Sequence, residues 1–506
     1  MIGEPSGNPC RIGLNNNHPS NKEVTQMVKQ NGSEKLGRKQ AQKTTSATMI
    51  DGEQRATRIT ADTQYGECSE RLTAFGGLLA LVKFMDLLGF EKSFEDQYVH
   101  PHRVPELGGY RMVFGILMLL FIGFQRLWHF GYIRHDAMLC GILRVTALPV
   151  VSTFWRYLRS MSIIQSQSLV RLGGVLRRRV WELCEYRPQR VTVNIDTTVS
   201  TVYGAIEGAR KGHNPKHRGK KGLRPVLCFL AETREYLCGT QRRGETISGK
   251  EVARQIRQFR KLLPECVRQV RVRGDGEFIG WESVQACLDE GFTFTFGNKR
   301  CNPPFAEDGW YRYGEHEYNE CFYKPIGWEL PCRFVVMRIR KDQIGDRQLK
   351  LLDSENYVYR VFATNDSRRA HRVIEDYDQR ADAENLIGEA QREGVLAIPS
   401  KSFQAHHAFF QLVMLAYNLW RWMKLLAGHA QRQKQAGQVV EDRQQIMMPD
   451  YTIRIARLKM LFVAAKIRFH GNRDELRYSI HESRAVGIID FLNYLDRRRQ
   501  AEGLAA

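Results

Sequence analysis

Two apolar, β-branched runs, Val191–Ile195 and Val270–Arg273, each lead into an aspartate, and that pairing constrains the fold more than any other feature of the chain. The first reads Val191-Thr-Val-Asn-Ile195-Asp196-Thr-Thr and the second Val270-Arg-Val-Arg-Gly-Asp275-Gly-Glu-Phe278. Their alternating character predicts strands and places Asp196 and Asp275 at strand tips, beyond the hydrogen-bonded ladder. Further strands are predicted at Pro225–Leu230, Glu235–Gly239 and Phe292–Phe296, with helices at Ser248–Leu263 and Trp281–Glu290. Hairpins followed by helical crossovers make a mixed sheet with helices on its faces, an α/β fold.

A third acid stands in a helix-forming stretch, Tyr377-Asp-Gln-Arg380-Ala-Asp-Ala-Glu384. Offsets of three and seven from Tyr377 put Arg380 and Glu384 on one helical face. Two strand tips and one helix face can converge on a point that no single segment supplies. Carboxylates crowded together repel and raise one another's pKa unless cations neutralise them, and hard oxygen ligands suit Mg²⁺ or Mn²⁺. Asp196, Asp275 and Glu384 therefore predict a two-metal phosphoryl-transfer site, as catalytic residues and metal ligands together. Taken singly, each has an ordinary use: a strand-end Asp caps a turn, and Glu384 pairs with Arg380 on a helix surface. Glu277, Asp376, Asp378 and Asp382 are neighbouring substitutes.

Charge names the partner. Lys and Arg total 76 against 55 Asp and Glu, a net +21 over 506 residues, the electrostatic footprint of a protein that works on a polyanion. Between the first two strands lies the Gly-rich basic loop Arg210–Gly222, with Lys216, Arg218, Lys220 and Lys221. It reads either as a solvated hairpin tip or as a loop gripping DNA phosphates beside Asp196. Ser152–Arg159 opens on Ser as an N-cap and carries Arg156 and Arg159 on one side, aromatic residues on the other. It reads as a DNA-reading helix or as an ordinary basic surface helix.

Eleven cysteines without a Cys-x-x-Cys pair suggest reduced thiols in a cytosolic setting, and argue against a zinc site or disulfide framework. The first fifty residues show no secretory signal. Met112–Phe124, the most apolar stretch, is too short to span a bilayer and reads as a buried helix, so no membrane partner is expected.

The expected organisation is a disordered polar arm over 1–70, a helical DNA-binding region over 71–185, and a catalytic core over 186–297 and 365–430. A β-rich insertion over 298–364 interrupts the core, and a basic helical region follows over 431–506, including a helix at Thr452–Arg468. An exposed aromatic in the insertion could stack on an extruded base.

With Ile195-Asp196-Thr197, Arg273-Gly-Asp275-x-x-Phe278 and Tyr377-x-x-Arg380-x-x-x-Glu384 in this order, the chain resembles DDE transposases of bacterial insertion sequences, most closely the IS1380 family within the IS4-like group. The resemblance spans about residue 72 to about 475. It implies an RNase H-like core, two divalent metals (Mg²⁺, with Mn²⁺ able to substitute) on Asp196, Asp275 and Glu384, and cut-and-paste movement of a DNA element. Tyr377 and Arg380 would then hold phosphates of the element's terminal strand. Where the group has Lys seven residues after the Glu, this chain has Gln391, with Arg392 beside it. Terminal inverted repeats and target DNA would be the partners, a homodimer would synapse two ends, and the bacterial cytoplasm at the nucleoid would be the setting. The competing readings are a nuclease of the same core that cuts without joining, and an inactive transposase-derived DNA-binding protein.

Overall fold

The computed structural model describes residues 59–504 except 104, 213, 215–216, 341–355, 436–450 and 471–472. The arm expected over residues 1–70 thus lies outside the described residues as far as residue 58, and so does Lys216. Two units are distinguished, Met1–Cys68 and Ser69–Ala506. In the first, residues 59–68 run as irregular chain with one turn, closed by the Thr63 N–H on the Thr60 carbonyl.

The second unit is built on a nine-stranded sheet. Its strands in chain order are β1 (Arg190–Thr197), β2 (Val226–Leu230), β3 (Tyr236–Thr240), β4 (Gln269–Gly274), β5 (Thr293–Gly297), β6 (Tyr311–Tyr313), β7 (His316–Tyr323), β8 (Cys332–Arg340) and β9 (Tyr357–Thr364). Their order across the sheet is β6-β7-β8-β9-β5-β4-β1-β2-β3. The central strands β1, β4 and β5 are parallel neighbours, and every other pair is antiparallel. Parallel pairing needs crossovers, and the helices Gly249–Ile256, Phe259–Leu262 and Trp281–Asp289 supply them. The expected Ser248–Leu263 helix is therefore two pieces. Its start is as read: Ser248 and Glu251 close a capping box.

The β-rich stretch does not form a separate body; β6–β9 extend the core sheet, because β9 pairs with β5. Both faces of β8 are covered. Phe334 and Val336 join the main core, while Val335 and Met337 pack with Val373 and Ile374 of the helix Ala370–Asp378.

Among the described residues, six α-helices and one 3-10 turn between Leu78 and Leu183 precede the sheet. The apolar one is Gly109–Ile122, buried nearly all round and ended by Gly123 at φ 104°. It packs against the long helix Phe403–Gln435, which also covers Ile163–Leu183 and β3. Among the described residues no helix is long and apolar enough to cross a membrane. The helix expected over Thr452–Arg468 stops at Met460, and Ala465–His470 is a strand paired with Arg71–Thr73 and Arg473–Tyr478. Lys466, Ile467, Arg468 and Phe469 alternate with period two, a strand signal that the basic charge masks.

Candidate active site

The sheet register brings the two aspartates together. Ile195 lies opposite Gly274 on neighbouring parallel strands, so Asp196 and Asp275 each follow a paired residue at the same sheet end. Asp275 stands just past β4, as expected. Asp196 does not stand clear of the ladder: on its other side it pairs with Leu227 of β2, and the ladder runs on to Thr197.

Glu384 arrives from a different direction. A single helix through Tyr377 and Glu384 is not what forms; Ala370–Asp378 and Ala381–Ala390 are separate helices, joined by a tight turn. In that turn the Arg380 N–H donates to the Tyr377 carbonyl at 2.8 Å and the Ala383 N–H to the Arg380 carbonyl at 2.8 Å, both three-residue bonds. The Tyr377, Arg380 and Glu384 face is thus assembled across a junction. Asp376 anchors the first helix, accepting from Arg271 at 2.7 Å and from Arg273 at 2.8 Å, both on β4. Tyr377 then donates its hydroxyl to the Gly274 carbonyl at 3.3 Å and packs on Phe362.

Electrostatics links the three acids. Burial lifts the Asp196 carboxyl to about 6; Asp275 and Glu384 push the same way, while Arg380 and the Thr197 N–H oppose them. Arg380 donates to Asp196 Oδ2 at 2.8 Å, with side chains only 11% and 17% exposed. Its Nε is buried without a hydrogen-bond partner among the described residues. Asp275 accepts from the Glu277 N–H at 2.9 Å and has Lys299 Nζ at 3.8 Å. Glu384 is exposed. Among the described residues no three His, Cys, Asp or Glu side chains converge closely enough to grip a metal ion as they stand. The donor set nevertheless suits a divalent cation: three carboxylates, two of which raise the charge cost of Asp196, offset there by a guanidinium standing where positive charge is needed.

Three of the substitute acids are engaged elsewhere: Asp376 is held by the β4 arginines, Asp378 by Arg360 at 3.1 Å and Asp382 by Arg234 at 3.3 Å. Glu277 stays at the site, accepting from Thr197 Oγ1 at 3.1 Å and from Arg224 at 2.7 Å.

Gln391 reaches the same place, donating to Thr198 Oγ1 at 2.6 Å. It opens a wide turn, Gln391–Val395, that ends the Glu384 helix and bends at Gly394, φ 119°. Arg392 is exposed, and its carbonyl is held by the Gln125 amide. Arg218, Lys220 and Lys221 are exposed around a small three-stranded sheet of Ser200–Thr201, Lys221–Leu223 and Arg210–Lys211. Arg156 and Arg159 are exposed on the helix Val151–Ser160, which packs on Phe403–Gln435 and Gly109–Ile122, and Arg159 lies over Trp155. That helix starts at Val151, so Ser152 is in its first turn rather than at the cap.

Two cations at the acids have no signal in the sequence. Arg224 bonds Thr197 Oγ1 at 3.3 Å and Glu277 at 2.7 Å, and Lys299 reaches Asp275 from the end of β5. From Asp275 and Tyr377 a cleft of about 1050 Å³ runs past Lys299 and Arg300 to Trp281, Trp328 and Tyr359. Trp281 and Trp328 stand 5.8 Å apart, centroid to centroid.

Residues 55–499 match a family described as Transposase DDE domain group 1. A solved structure of the piggyBac transposase synaptic complex with hairpin DNA is similar at 10% identity and a TM-score of 0.33, over 74% of this chain and 85% of that one. No curated protein matches.

Proposed function

The chain belongs to the family of transposases with a DDE domain, group 1, and from that premise we propose that it moves a DNA element by cutting at the element's ends and joining them to target DNA. One observation carries the assignment of the acids. Asp196 and Asp275 follow paired residues on adjacent parallel strands, and both Asp275 and Glu384 bear on the Asp196 carboxyl. In this reading the core is RNase H-like, the chain is of the IS1380 type within the IS4-like group, and the helices before β1 bind DNA through Arg156 and Arg159.

Asp196, Asp275 and Glu384 would hold Mg²⁺, or Mn²⁺ in its place. A divalent cation bound there supplies a water of lowered pKa and charge for the departing 3′ oxygen. The chain's own residues position the strand. Arg380 and Tyr377 hold phosphates of the terminal strand at the carboxylates, with Lys299, Arg224 and Arg300 as further cations on that side. Arg218, Lys220 and Lys221 add backbone contacts, and Gln391 fixes Thr198 beside Asp196. Arg392 serves as an outer phosphate contact. The freed 3′-hydroxyl then attacks the target in the same site, with a hairpin on the element end as the route. An unpaired base of that hairpin fits the aromatic cleft at Trp281 and Trp328. Two copies synapse two inverted repeats, in the cytoplasm at the nucleoid.

A strand-transfer assay with paired element ends, Mg²⁺ and a target plasmid tests this. Joined products are expected, and nicking without joining would favour the nuclease. Asp196→Ala should abolish cleavage while end binding persists; normal cutting by that variant would refute the assignment.

A further inference from the structure

A second cavity, of about 650 Å³, opens away from the three acids, among the end of β3, the helix Gly249–Ile256 and the start of the helix Phe403–Gln435. Thr240 on its wall lies opposite Val226, which lies opposite Thr197, so it sits two strands from the acids, roughly 10 Å along the same sheet end. Its polar groups are unusual for a wall. Gln241 and Gln255 are each 4% exposed and His407 is 2% exposed, yet Gln241 Oε1, Gln255 Oε1 and His407 Nδ1 are buried without hydrogen-bond partners among the described residues. Buried polar atoms are normally paired, so three unpaired ones among the residues of one lining, sealed from water as the chain stands, are left to bond a ligand once the side chains turn toward the cavity.

The remaining lining specifies what. His407 is held neutral by burial, its pKa pushed down to about 4, and its Nε2 meets Thr240 Oγ1 at 2.7 Å. Arg242 is tied to Glu251 at 2.8 Å, but Arg243 and Arg254 are exposed at the rim and make no ion pair among the described residues. Phe403 contributes a half-buried ring. Amides that offer donor and acceptor together, a neutral imidazole, an aromatic face and two guanidinium groups are complementary to a nucleobase and its phosphate.

We propose that this cavity binds one unpaired nucleotide, its base against Phe403 and the Gln241 and Gln255 amides, its phosphate on Arg243 and Arg254. Side-chain amides pair bidentately with adenine, so adenine is the base expected. That the nucleotide belongs to a DNA strand rests on the reading of the chain as a transposase; the pocket's chemistry does not.

Fluorescence anisotropy of a short labelled oligodeoxyadenylate, measured in EDTA with the Asp196→Asn protein, reads the site without any cleavage. Gln255→Leu and the rim variant Arg254→Ala should each weaken binding roughly tenfold. So should replacing the strand by one of the same length without bases. Equal affinity for the baseless strand, or unchanged affinity in both variants at unaltered melting temperature, overturns the proposal. Competition by AMP identifies a free nucleotide as occupant; competition only by a strand identifies DNA. Because no cutting is involved, a failed strand-transfer assay would leave these results standing.

Discussion

Arg380 leaves one donor on Asp196 and another, its Nε, buried and unused, so it is poised to exchange a carboxylate for a phosphate without leaving its place. Arg380→Ala removes a charge-assisted bond of about 1.5–3 kcal/mol and should reduce cleavage by about one to two orders of magnitude, read as initial rate on labelled element ends. An unchanged rate would exclude Arg380 from the phosphate path. His407 gives a pH prediction of a different kind. Its folded pKa is depressed to about 4 against 6.5, so the unfolded chain takes up a proton that the folded one refuses. Stability is fully present above pH 6.5 and falls as pH drops toward 4, by up to roughly 3 kcal/mol. His407→Gln should flatten that part of the melting-temperature profile relative to the parent protein. At this scale the sequence was informative about the strands that lead into Asp196 and Asp275, because strand alternation announces itself locally, but not about the pairing that keeps Asp196 inside the ladder. Arg224 was not legible: its partners Thr197 and Glu277 are distant along the chain and are brought to it only by folding.

The helix Ala370–Asp378 is tied to β4 through Asp376 and packed on β8 through Val373 and Ile374. Asp376→Asn keeps the side chain's shape but weakens its hold on Arg271 and Arg273, leaving two guanidinium groups poorly compensated in a mostly buried place. The expected result is cleavage reduced at least tenfold, with Asp196, Asp275 and Glu384 all intact; a rate within twofold of the parent would show that the helix needs no such tether. Helix propensity continues through Gln379 and Arg380, and so the junction between the two helices is silent in the sequence; the three-residue bonds that make it are a tertiary outcome. The same holds for β6–β9. Their aromatic and β-branched runs mark them as strands, but only the pairing of β9 with β5 decides that they enlarge the core sheet.

Across the whole molecule the excess of +21 is a statement about DNA and salt. Binding to duplex DNA should weaken on the order of a thousandfold between about 50 and 200 mM salt, measured by gel shift or anisotropy, because phosphate contacts release counterions. A flat salt dependence would contradict a backbone-gripping surface. Net charge is legible in any sequence; where it gathers is not, and Lys299 and Arg300 reach the cleft only because β5 ends there.

The strand Arg71–Thr73 pairs with Ala465–His470 from near the other end of the described fold. On the ribosome that strand must therefore wait, its edge uncovered, until the segment through Ala465–His470 has been made. Closing so long a loop costs little more than closing a moderate one, since the entropy grows only with the logarithm of length, but the search for the partner is slow. Translation that stops before residue 465 would strand this edge for good, and a permuted gene that encodes the two segments side by side should shorten the wait.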